Sequence, residues 1–145
     1  MGESNSKQLE VVGLDLGDRW TSWCHCTAGG EVVGEGRVRT QQEAFSRQFS
    51  AAPRRRILPE TGTHSLWVAR HLRSMGHVVC VLPAGSYNAI AESRRKTDRL
   101  DARVLAQLGA TTSVAVLHTV DVIDESVQSD RSVLLARDLL VRCRT

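Results

Sequence analysis

No run of apolar residues in this chain approaches the ~20 that a membrane-crossing helix needs, and the opening stretch, Met1 to Glu10, is polar where a secretion signal would be apolar. Both absences argue against a membrane or exported protein and predict a cytoplasmic one. Lysine is almost missing: Lys7 and Lys96 are the only two among 19 cationic residues. Arginine forms bidentate bonds to phosphate, which suits a nucleic-acid partner, although a GC-rich genome produces the same bias. Against 16 acidic residues the net charge is only +3, so charge by itself identifies no partner. The four cysteines include the tripeptide Cys24-His25-Cys26, but no second ligand pair follows at zinc-site spacing. Free thiols in a reducing compartment are the expectation. No internal repeat and no low-complexity segment interrupts the chain.

What remains is ordinary globular material. The chain has 145 residues, 41% apolar and 24% charged, enough for one domain with a core of its own. Residues 11–17, Val-Val-Gly-Leu-Asp-Leu-Gly, read as a buried strand. Residues 20–27 and 31–39 read as two more, separated by the turn signal Gly29-Gly30. Thr40-Gln-Gln-Glu43 fits a capping box, with a helix running to about Ala52. A short strand around Ile57-Leu58 should end near Glu60. Leu66, Ala69, Leu72 and Met75 recur at helical spacing over 63–75, and Gly76 suits the position after the helix end. Residues 78–82 form a fifth strand closed by Pro83, a short helix is expected around 85–92, and another should run from Thr97 to about Leu108 with Leu100, Val104 and Leu108 on one face.

Three meandering strands followed by β-α alternation imply an α/β fold, a mixed sheet with helices on its faces. That order is ribonuclease-H-like, and actin-like ATPase domains share it. The domain is expected over 8–118. Residues 119–145 should begin a helical, coiled-coil-like segment, because Val127, Leu134 and Val141 are spaced by seven. The chain ends there without a cap, which suggests truncation.

Four acids stand out. Asp15 sits inside an apolar run, where an ionised carboxylate is costly unless paired or metal-bound. Glu60 falls at a strand end, where α/β sheets bind ligands. Asp98 and Asp101, in Lys-Thr-Asp-Arg-Leu-Asp-Ala, share one face of a helix and repel each other unless a cation lies between them. Singly, each has an ordinary reading: a salt-bridged Asp, a solvated loop acid, a helix laced with ion pairs. Together they form a hard-oxygen ligand set suited to Mg²⁺ or Mn²⁺. Arg94, Arg95, Lys96, Arg99 and Arg103 surround the helical pair and are candidates to hold DNA phosphates.

Gly-Leu-Asp-Leu-Gly near the start, Glu60-Thr-Gly-Thr before a Trp-containing helix, and Lys-Thr-Asp-Arg-Leu-Asp-Ala after a strand ending in Pro resemble one family. It is the DEDD transposases of the insertion sequence 110 group, whose amino-terminal domain is similar to RuvC-type Holliday-junction resolvases. The likeness covers about residues 11–145, and its most specific part is the last motif. It implies that Asp15, Glu60, Asp98 and Asp101 are catalytic, Mg²⁺-binding residues. It also implies DNA cleavage and strand transfer in transposition, a structured guide RNA, oligomers joined through the carboxy-terminal helix, and a place at the nucleoid. Family members continue into a second domain carrying a serine implicated as nucleophile, so this chain is expected to be incomplete as a catalyst alone.

Two alternatives stand beside it: the amino-terminal half of an actin-like kinase or ATPase, although no second Gly-rich phosphate loop is present, and a non-catalytic remnant that binds nucleic acid. His64, beside Glu60, is a candidate for proton transfer or phosphate contact as well as a plain exposed histidine. Arg54-Arg55-Arg56 reads as a solvated edge or a phosphate contact. Trp20, Trp23 and Trp67 read as core, as partner surface or as stacking platforms for bases.

Overall fold

The computed structural model describes residues 8–84 and 98–112, with side chains from Asp101 onward in the second stretch. The helix expected at 85–92, the run Arg94-Arg95-Lys96 and the coiled-coil-like tail lie outside the described residues.

Strands β1 (Val11–Leu16), β2 (Trp20–Cys26) and β3 (Val32–Arg39) form the predicted meander. Helix α1 (Gln42–Phe49) follows, then β4 (Arg56–Pro59), α2 (Ser65–Ser74), β5 (Val78–Val79) and α3 (Asp98–Thr111). The strand order is β3-β2-β1-β4-β5, antiparallel across the meander and parallel from β1 through β4 to β5.

Period-two alternation divides the core between the two faces of this sheet. Val12, Leu14 and Ile57 point to one side and pack with Phe45, Phe49, Val68, Ala69 and Leu72 of α1 and α2. Val11, Leu58, Cys80 and Leu82 point to the other and pack on Leu105 of α3. Cys24 and Cys26 extend that second layer beneath Ala102 and Ala106. The predicted stripe on α3 is therefore rotated. Its buried positions are Ala102, Leu105, Ala106 and Gly109, with Val104 and Leu108 at the flank. Small residues let the helix backbone lie close to the strands, so Leu-to-Leu spacing was a poor guide to its inner face.

The capping box is corrected. Helix α1 begins at Gln42 behind an extended Gln41, and no side chain caps it. The Thr40 hydroxyl has one proton and donates it to the Gly17 carbonyl at 2.7 Å, while the fully buried Thr21 hydroxyl bonds to Thr40 at 2.9 Å. Satisfying the turn after β1 outweighs capping, because a buried unpaired hydroxyl costs about 1–3 kcal/mol. Gly76 behaves as expected. At φ +92° it takes the left-handed conformation, Gly76 N–H bonds Arg73 O, and His77 N–H bonds Leu72 O, closing a Schellman motif.

Regular pairing of β5 stops at Val79, three residues short of expectation. Pro59 has no N–H for the next rung. Pairing nonetheless resumes, with Leu82 N–H on Pro59 O and a parallel bridge between Leu82 and Glu60. This holds Glu60 at the sheet edge although no regular strand contains it.

Candidate functional site

Asp15 shares a face of β1 with Val11 and Gly13, the side covered by α3. It is half-buried, and its partner across β2 is Ser22. The parallel register pairs Leu14 with Pro59, so one further residue sets Asp15 beside Glu60 at the spacing of adjacent strands, roughly 4.8 Å. Glu60 has the parity of Leu58 and is also half-buried. Both acids thus occupy the carboxyl ends of neighbouring parallel strands, on one face.

Helix α3 runs antiparallel to β1 above them. A Cβ at Gly109 would meet Leu58 and Val11, whereas a Cβ at Gly13 would lie 2.1 Å from the Ala102 carbonyl and 2.5 Å from the Ala106 nitrogen. Two strand residues on from Gly13 is roughly 6.6 Å, or about four to five helical residues at 1.5 Å each. That distance leads back along α3 to positions 98–101. Asp98 opens the helix, and Asp101, half-buried, stands one turn before Leu105. Strand end, strand end and helix start therefore meet at one edge of the sheet. Among the described residues no group of three or more His, Cys, Asp or Glu is gathered tightly enough to hold an ion. The side chain of Asp98 lies outside that description. The donor chemistry, carboxylate oxygens throughout, suits a hard divalent cation and not zinc.

Of the five candidate phosphate-binding cations, Arg94, Arg95 and Lys96 lie outside the described residues, and Arg99 is described only in its backbone. Arg103 is ion-paired within the domain. Its Nε donates to Glu35 Oε1 at 2.6 Å, and the carboxylate it meets is only 10% exposed. The pair ties α3 to the edge strand β3, which fixes the helix that carries Asp98 and Asp101. Nothing in the sequence signals Glu35 as this anchor, because the contact depends on cross-strand register.

His64, just ahead of α2, accepts a hydrogen bond at Nδ1 from Trp67 Nε1 at 3.0 Å. Indole can only donate, so neutral His64 carries its proton on Nε2, facing Asp18 Oδ1 at 3.3 Å. Arg55 and Arg56 sit at the opposite end of the sheet, beside Glu10 and the Gly109 carbonyl. A cleft of about 480 Å³ lined by Arg56, Val11 and Thr111 lies there too, remote from the acids. A smaller one of about 320 Å³, lined by Ser22, Glu35, Gly36 and Arg37, adjoins Asp15 through Ser22.

The Cys24-His25-Cys26 run cannot close on one ion, since alternation buries both thiols under α3 and sends His25 to Glu10 at 2.7 Å. Burial pushes the Cys24 thiol up to about 12 and raises Cys26 and Cys80 as well. Folded Cys24 therefore holds its proton more tightly than the unfolded chain does. Its contribution to stability is intact below about pH 9 and lost as pH rises toward 12, by up to about 1.4 kcal/mol per pH unit. Urea midpoints measured across that range should fall more steeply for the native chain than for Cys24→Ala.

A meander joined to a parallel β-α half, with helices on both faces of the sheet, defines a ribonuclease-H-like α/β domain. The family model for DEDD transposases of the insertion sequence 110 group, described as Transposase, matches residues 12–145. The chain belongs to that family, and its function lies in transposition. No curated protein matches it. Among the described residues, no helix is long and apolar enough to cross a membrane.

Proposed function

We propose that this chain is the divalent-metal-binding, DNA-cleaving part of a transposase, with Asp15, Glu60, Asp98 and Asp101 as the ligands. The observation that carries this reading is the placement of β1, β4 and the start of α3 at one edge and on one face of the sheet. The metal, when bound, would polarise the scissile phosphodiester and stabilise charge on the attacking and leaving oxygens. The chain's own part is positional. Asp15 and Glu60 present oxygens from strands whose spacing is fixed by hydrogen bonds. Gly13 lets α3 descend far enough for its first turn to reach them, and the Arg103–Glu35 pair holds that helix in place. The cations at 94–99 would hold the flanking phosphates without reading sequence. A guide RNA, and assembly through the 119–145 segment, belong to the same reading.

Metal binding tests it without requiring turnover. Millimolar Mn²⁺ or Mg²⁺ should raise the thermal midpoint of the full chain, and ATP should not. A shift produced by ATP alone would favour the actin-like alternative. No shift with either metal would remove the proposed centre.

A further inference from the structure

The acidic edge does not end at Asp15. Trp20 stands diagonally across β2 from Asp15, since Asp15 faces Ser22 two residues further along the strand. Such diagonal neighbours lie roughly 7–8 Å apart. Trp20 is 40% exposed, whereas Trp23 and Trp67 pack against the core. Two exposed arginines of the edge strand lie over its ring, Arg37 at 4.6 Å and Arg39 at 4.7 Å from the centroid. Arg39 is its direct cross-strand partner, and Arg37 faces Ser22. Arg19 is exposed in the adjoining turn, beside the acidic Asp18. The groove lined by Ser22, Glu35, Gly36 and Arg37 continues on the same face.

An indole left exposed with guanidinium groups layered on it is poorly explained as packing. A base can displace a guanidinium from its π-face, and the displaced cations lie close enough to reach the phosphate oxygens of the same strand. Unpaired bases stack on such faces whatever their identity, while arginines neutralise the backbone.

We propose that Trp20, Arg37 and Arg39 form a platform for single-stranded DNA, on which a strand lies as it leaves the acidic edge. The choice of DNA rests on the transposase reading above, but the platform binds without metal and is separable from it.

Fluorescence anisotropy of a labelled oligothymidylate with the full chain, in the presence of EDTA, tests this. Trp20→Ala should weaken binding about tenfold, and Trp20→Phe should recover part of the loss. Arg37→Gln with Arg39→Gln should lower the log–log salt slope by about 1.4, the value for two phosphates on a single strand. Oligonucleotide binding is read in EDTA and the metal centre by its Mn²⁺ shift of the thermal midpoint, so that failure of the metal centre and failure of the platform give different results. Native binding that Trp20→Ala leaves unchanged overturns the proposal, as does an absence of binding by the native chain. A preference of more than tenfold for oligouridylate would assign the platform to RNA and overturn the DNA assignment. Should Trp20→Ala fold poorly, quenching of native tryptophan emission by the oligonucleotide, lost in the double arginine variant, decides the matter.

Discussion

Gly13→Ala is expected to destabilise the domain by about 3 kcal/mol or more, at the top of the range for overpacking. Two effects compete at this position. Alanine in place of glycine inside a strand favours folding by roughly 0.5–1 kcal/mol through the unfolded chain. Against that, the new methyl would sit 2.1 Å from a carbonyl and 2.5 Å from an amide nitrogen of α3, and backbone atoms cannot swing aside. The clash wins, and α3 must lift from the sheet. Gly109→Ala is the natural control. The atoms it meets are methyl groups of Leu58 and Val11, which can shift, so a loss near 1 kcal/mol is expected. Urea denaturation of the two variants gives the comparison. Equal losses would mean that α3 does not approach β1 as closely as described. Gly13→Ala should also weaken Mn²⁺ binding, because the lifted helix carries Asp101 away from Asp15.

Asp15→Asn should abolish nearly all stabilisation by Mn²⁺. A metal present at one hundred times its dissociation constant stabilises by about 2.7 kcal/mol, equivalent to roughly 10 °C in midpoint for a chain of this size. If the substitution weakens affinity a hundredfold, the gain falls to about 0.4 kcal/mol at the same metal concentration, a change of one or two degrees. The amide keeps the shape of the carboxylate and removes its charge. An Asp15 that served only as a structural ion-pair partner would behave differently. Its loss would lower the midpoint by the same amount with and without metal. The difference between the paired melts, and not either melt alone, separates the two roles.

Among the described residues, the strands, the helices and their order were legible because each is written in local pattern. Alternation marks the meander and Gly76 marks the end of α2, whereas β5 pairs regularly only as far as Val79, short of the strand that Pro83 was expected to close. Local pattern failed where a residue answers to a distant one. Thr40 looked like a cap and is instead bonded to Gly17 and Thr21. Leucine spacing suggested one face of α3, but Gly13, almost ninety residues away in sequence, draws the Ala102–Ala106 face inward. The pairing of Arg103 with Glu35 of β3 is likewise a contact that local pattern could not show.

By itself, the sequence determined which residues are chemically able to act: one acid in an apolar strand, one at a strand end, two on a helix turn, and an arginine-rich surround. Only the tertiary structure decided where Asp15, Glu60 and Asp101 stand in the fold. Strand register sets Asp15 beside Glu60, and a missing side chain at Gly13 sets how near α3 comes. Register and close approach are relations between segments far apart in the chain, so composition and periodicity carry no record of them.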